Sequence, residues 1–98
     1  MTYEAIKDPA EKLDYTIDYS LLFAESDPDD QIVSSTWAIT SLGTGLLIDS
    51  STILDFNKAV VWVSGGGVLN TIHKLTNHVI CVSTREYERT IRITIRNK

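Results

Sequence analysis

Only one cysteine, Cys81, stands among the 98 residues, so no disulfide can close within the chain. The fold must rest on its apolar core or on neighbouring subunits. Cationic residues are scarce as well: nine Lys and Arg face 13 Asp and Glu, a formal net charge of -4. A nucleic-acid binder carries a basic footprint matched to phosphates, so DNA and RNA are not expected partners. Long hydrophobic runs are missing, and none approaches the roughly 18 apolar residues of a membrane helix. The opening MTYEAIKDPAEKL is polar where a secretory signal needs an apolar stretch. These absences predict a soluble protein that folds inside the cell, with no membrane partner. Internal repeats and low-complexity segments are absent too.

What is present suits one folded domain. The apolar fraction of 43% and charged fraction of 22% lie far from the composition of disorder, and a chain of this length buries one modest core. Residues 1–12 mix Glu4, Lys7, Asp8, Pro9, Glu11 and Lys12 around a lone Ile6 without a period, and are read as an extended N-terminal arm. Residues 13–98 form the domain proper. Leu13, Tyr15, Ile17 and Tyr19 then alternate with Asp14, Thr16 and Asp18, the pattern of a half-buried strand. SLLFA at 20–24 is too short to type, beyond a helical turn at most, and Glu25 to Asp30 reads as an acidic turn.

Gln31 to Thr40 carries Val33, Ser35, Trp37 and Ile39 on one face, with Trp37 expected inward. Gly43 and Gly45 interrupt the chain before Leu46-Leu47-Ile48, and short strands and turns follow. The β-branched run AVVWVS at 59–64 is a strand stopped by the triplet Gly65-Gly66-Gly67. Thr71–Ser83 and Tyr87–Arg96 read as a closing hairpin joined near Thr84-Arg85-Glu86. In its last strand Ile91, Ile93 and Ile95 alternate with polar residues. In its first, Leu75, Asn77, Val79 and Cys81 share one face, while Ile72, Lys74, His78, Ile80 and Val82 share the other. Six or seven short strands with frequent turns predict an all-β, two-sheet antiparallel β-sandwich with Trp37 and Trp62 as its large fillers.

Candidate chemistry is thin. The glycine triplet follows a strand, where a phosphate loop would stand, but Val68 and Leu69 replace a Gly-Lys-Ser/Thr ending and Asn70 stands where a dinucleotide fingerprint needs Gly or Ala. It is read as a backbone turn. His73 and Cys81 share a strand face but lie eight residues apart, and His78 points the other way, so no metal site is expected. Asp27-Pro28-Asp29-Asp30 lacks the ligand spacing of a calcium loop. No serine sits in a nucleophile elbow and neither histidine has an orienting carboxylate identifiable from the sequence, so no enzyme, cofactor or small-molecule substrate is expected. Arg85-Glu86-Tyr87-Glu88-Arg89 mixes signs and reads as cross-strand pairs or a polar rim for another protein.

The ordered blocks Lys7-Asp8-Pro9, Leu13-Asp14-Tyr15-Thr16-Ile17-Asp18-Tyr19, Ser34-Ser35-Thr36-Trp37, Val61-Trp62-Val63-Ser64-Gly65-Gly66, Thr76-Asn77, and Arg85 with Glu88-Arg89 before Ile91, Ile93 and Ile95 resemble the small bacteriophage tail proteins known as fibre-tail adaptors. Their order and spacing run across nearly the whole chain. His73 stands where relatives usually have an aromatic residue, and Thr84-Arg85 where they usually have a glycine turn. The resemblance implies a non-enzymatic virion component with an immunoglobulin-like or fibronectin-III-like sandwich, placed between tail body and fibres and assembled in the bacterial cytoplasm. Copies in a symmetric ring would hold tail and fibre proteins multivalently. The candidate partner contacts are Tyr3 and Ile6 on the arm and Arg85, Tyr87 and Arg89 on the hairpin. An Ig-like capsid decoration or a host-surface-binding adhesion module is the alternative.

Overall fold

A computed structural model describes residues 2–41 and 45–97. They form seven strands, β1 (Thr2–Lys7), β2 (Leu13–Asp18), β3 (Ile32–Ser41), β4 (Leu46–Leu54), β5 (Lys58–Gly65), β6 (Ile72–Cys81) and β7 (Glu86–Ile95), and one helix, α1 (Ser20–Ser26). One sheet has the order β1-β7-β6-β3 and the other β2-β5-β4. Every pairing is antiparallel except β1 with β7, where Tyr3 aligns with Ile91 and Lys7 with Ile95. The expected turn at Gly43 lies outside the described residues.

Alternation sets the core, because successive strand residues point to opposite faces. Ile17 from β2, Ala59, Val61 and Val63 from β5, Leu75, Val79 and Cys81 from β6, and Ile91, Ile93 and Ile95 from β7 fill one cluster between the two sheets. Full burial of each Val, Leu or Ile stabilises by roughly 1.5–3 kcal/mol. Helix α1 closes one end: Phe23 is buried, its ring 6.3 Å from that of Tyr19 and 6.1 Å from that of Tyr87. The short apolar stretch SLLFA is thus the start of a helix of seven residues.

Three expectations are corrected. The segment read as an arm is an edge strand over residues 2–7, held by the parallel ladder to β7 and by Lys7, whose side chain is fully buried. Trp62 is no core filler: its Cα partners are Asp14 and Ser50 on the outer face, leaving it 39% exposed, because Val61 and Val63 take the inward positions. Val33 leaves the Trp37 face at a register shift between Ile32 and Ser34, and is exposed, whereas Trp37 and Ile39 pack against the core as expected. The molecule is elongated, 42 × 22 × 21 Å.

Candidate docking surfaces

The buried polar groups serve the scaffold. Gly65, Gly66 and Gly67 all have positive φ, and a Cβ on Gly66 would come within 2.6 Å of Ile95 Cδ1. Only glycine fits this crossing from β5 in one sheet to β6 in the other. The carbonyls of the triplet are the groups engaged by side chains: Lys7 Nζ donates to Gly65 O and Asp8 O, and His73 Nε2 lies 3.0 Å from Gly66 O. A phosphate cradle would instead turn N–H groups towards its ligand. Asn77 ties two further segments together, the end of β2 and the middle of β3. Its Oδ1 accepts from the Tyr19 hydroxyl at 2.8 Å, and its Nδ2 donates to Ser35 Oγ at 2.9 Å and Thr36 O at 3.1 Å. Blocks distant in sequence therefore converge in space: Lys7 meets Gly65, and Asn77 meets Tyr19, Ser35 and Thr36.

Among the described residues no group of three or more His, Cys, Asp or Glu side chains is placed to hold a metal ion. His73 and Cys81 are buried on the inner face of β6, and His78 lies on its outer face between Glu86, 2.7 Å away, and Glu88, 3.3 Å away. Those two carboxylates raise the His78 pKa. Burial pushes the Cys81 thiol up to about 11, so it stays protonated and inert near neutrality.

The five candidate contact residues are split. Tyr3 and Ile6 are exposed but align with Ile91 and Thr94, on opposite faces of the sheet. Arg85 sits in the β6–β7 turn with Nη1 3.8 Å from Asp27 Oδ2. Tyr87 and Arg89 are half-buried around Tyr19, the Arg89 guanidinium 5.9 Å from the Tyr19 ring centre and the Tyr87 ring 6.3 Å from it. Arg85, Tyr87 and Arg89 thus line one side of β7 beside α1, and Ile6 belongs to a different surface.

The two ends of the long axis differ in chemistry. At one end α1, the acidic turn, the β4–β5 turn and the β6–β7 turn meet: Tyr19 N donates to Asn57 O, Ile32 N to Phe56 O and Val82 N to Gln31 O. Asp30 binds this end together, accepting from Ser83 Oγ at 2.6 Å, Ser83 N at 3.2 Å and Gln31 N at 3.0 Å. The segments 18–31, 54–58 and 82–88 carry eight carboxylates against Lys58 and Arg85. Their formal charge of -6 against -4 for the whole chain leaves the remainder net positive. Within this acidic end Phe56 is 60% exposed with φ 60°, Leu21 is 81% exposed, and a shallow cleft of about 460 Å³ runs between Phe23, Pro28, Asp29 and Phe56.

Phe56 escaped the sequence reading. Its signal is Asp55-Phe56 held as a two-residue turn by the Asn57 N to Leu54 O bond, and a left-handed aromatic there faces water. At the opposite end an open cleft of about 750 Å³ is lined by Ile6, Asn70, Ile72, Arg92 and Arg96 with Glu4, and Val68 and Leu69 stand exposed nearby in the glycine crossing.

No helix among the described residues is long and apolar enough to cross a membrane. No curated protein matches the chain. A family model does, over residues 7–94, and it describes the podophage GP4 fiber-tail adaptor protein gp77. The match takes in Lys7, Tyr19, Ser35, Gly65, Gly66 and Asn77, the residues that lock strands, turn and crossing together. The chain therefore belongs to the podophage fiber-tail adaptor family, whose members are structural proteins of the phage tail.

Proposed function

We propose that this adaptor bridges tail body and fibre through the two ends of its long axis. The observation that carries the reading is the segregation of charge and exposed apolar groups along that axis. One end presents Phe56 and Leu21 within a field of carboxylates; the other presents Ile6 and Ile72 beside Arg92 and Arg96. Aromatic and apolar anchors supply most docking energy, while complementary charge selects the partner and speeds encounter. An adaptor needs two unlike surfaces, and the rigid sheets hold these apart by most of the 42 Å length.

The fold belongs in this reading as an immunoglobulin-like sandwich. Lettered A to G in chain order, the strands group as B-E-D and G-F-C, the core grouping of that fold, with the first strand joined to the G edge. Such a sandwich offers preformed surfaces and costs little ordering entropy on docking. Copies arranged in a ring about the tail axis would act multivalently, and assembly would take place in the host cytoplasm before lysis. Arg85, Tyr87 and Arg89 form a third surface beside α1 that is available to a fibre or tail protein, with Tyr3 exposed on the β1 edge. The reading involves neither nucleic acid nor a small-molecule substrate.

Electron cryo-microscopy of the particle tests the proposal. The expected result is density for this chain between tail body and fibres, with its two ends in different proteins. Density on the capsid shell would overturn it in favour of a capsid decoration, and contact at one end only would overturn the bridging role.

A further inference from the structure

Trp62 stands on the outer face of the three-stranded sheet, 39% exposed, in register between Asp14 of β2 and Ser50 of β4. An indole carries more apolar area than most side chains, and tryptophan is enriched where proteins dock. Its surroundings are low. Thr16, Ser50 and Thr52 are exposed around it, and Val60 beside it is already covered. The Asp14 carboxylate is exposed next to the ring and takes part in no ion pair among the described residues. This face therefore offers an apolar anchor and an uncompensated negative charge.

The outer face of the four-stranded sheet carries the opposite sign at the same height. Lys74 and Arg92 align directly across β6 and β7, and like charges so placed repel each other. Arg92 turns to Glu4, 3.7 Å away, whereas Lys74 is exposed and takes part in no ion pair among the described residues. Its neighbours across and along the strands, Thr40 and Thr76, are short. Trp62 lies three residues before Gly65 and Lys74 two after Ile72, so both stand within about 10 Å of the glycine crossing at strand rise. His73 Nε2, 3.0 Å from Gly66 O, holds the two strands together there. Towards the acidic end Lys58 lies on the Trp62 face, and His78 between Glu86 and Glu88 on the Lys74 face. Asp18, next to Lys58, accepts from Ser20 N at 2.8 Å.

We propose that neighbouring copies pack face to face, the Trp62 face of one on the Lys74 face of the next, with Asp14 of the first copy paired to Lys74 of the second. Charge complementarity selects a second copy as the occupant, because each face exposes the uncompensated ion that the other lacks. The Lys74 stem and ammonium, laid against the Trp62 indole, add apolar and cation–π contact to the ion pair. Orientation follows from the same charges. Reversing one copy would set Asp14 near Glu86 and Glu88, like against like, so the long axes run the same way. The two faces are the outer sides of two packed sheets and look in opposite directions. The contact is thus heterologous, one face towards each neighbour, and such a series forms a ring where its rotation closes. The inference rests on the reading of this chain as a ring component of the tail and adds the contact between copies. Every acidic end then points to one side of the ring and every basic end to the other, free for fibre and tail body.

Carbodiimide treatment of assembled tails, which joins a lysine to a carboxylate in contact with it, tests this when the peptides are read by mass spectrometry. The expected product joins Lys74 to Asp14. Within one chain the two lie on opposite outer faces, so the link forms only between copies. Lys74→Glu is expected to cut incorporation into particles more than ~10-fold, because like charges then face each other. Lys74→Glu combined with Asp14→Lys is expected to restore it, a rescue that a merely structural role would not give. Both positions are exposed, so circular dichroism of the variants should match the parent. Absence of the Lys74–Asp14 product, Lys74 joined only to a different tail protein, or failure of the double reversal to rescue overturns the proposal. Tails in which each copy joins body and fibre while neighbours meet through other faces overturn this interface alone and leave the bridging function standing. Density on the capsid shell would overturn bridging, with the Lys74–Asp14 product still deciding the interface.

Discussion

Asn77 shows how much one side chain can hold in a chain without disulfides. It is fully buried, and its amide satisfies the Tyr19 hydroxyl, the Ser35 hydroxyl and a backbone carbonyl at once. Asn77→Leu should leave the buried Tyr19 hydroxyl unpaired along with two part-buried groups of β3, and cost about 2–4 kcal/mol, read by urea denaturation. Gly66→Ala, at φ 139° and facing Ile95, should also cost on the order of 2 kcal/mol or more. Phe56 sits at the other extreme. Its left-handed backbone and 60% exposure predict that Phe56→Asn stabilises the fold by about 0.5–1 kcal/mol while weakening incorporation into particles. A stability gain with normal incorporation would remove Phe56 from the docking surface.

Asp30 gives the acidic end a pH dependence. Burial alone would raise its carboxyl, but the hydrogen bonds from Ser83 and Gln31 outweigh burial and hold it below the ordinary carboxylate value of 3.8. A depressed folded-state pKa contributes stability that is present above the unfolded value and lost as pH falls through the folded one. Ser83→Ala should therefore destabilise by about 1 kcal/mol near neutral pH and by less in acid, once the pH has fallen through the lowered Asp30 value. Denaturation curves at the two pH values, with equal losses at both, would exclude this role.

Among the elements, β1 and β5 separate pattern from placement. Leu13 to Tyr19 and Ile91 to Ile95 were legible as strands because one wet face and one dry face alternate cleanly. Strand β1 was not, because TYEAIK alternates weakly and its partner β7 lies more than 80 residues away in sequence. Parallel pairing at such separation leaves no local signature. Deleting residues 1–7 removes that ladder and buried Lys7, and should lower the melting temperature by on the order of 10 °C, measured by calorimetry. Trp62 was misplaced for a related reason. In AVVWVS both phases of the alternation are apolar, and burial goes to the phase whose cross-strand partners, Tyr15 and Ile17 opposite Val61 and Ala59, already face inward.

At the scale of the whole molecule, the net charge of -4 conceals two ends of opposite tendency. Acidic residues from three separate segments gather only when α1 and the two turns meet at Asp30 and Ser83. Replacing Asp27, Asp29 and Asp55 together with Asn should slow attachment of its partner and flatten the salt dependence of attachment, with little change in stability, since all three lie outside the core. Binding of purified tail or fibre proteins at two ionic strengths reads this, and an unchanged salt slope would exclude the acidic end as a docking surface.

The amino-acid sequence by itself determined that this chain is all-β, which faces of β2 and β7 turn inward, where the hairpin closes, and that the glycine triplet is a turn, but not which face of β6 is buried. Each of these follows from local periodicity or from the backbone freedom of glycine, which neighbours along the chain suffice to define. Tertiary structure alone decided that the first residues complete a sheet, that Trp62 faces outward, that Phe56 crowns an acidic end, and that β4 ends its sheet. These depend on which distant strands pair, and pairing across the chain is a property of packing rather than of any window of sequence.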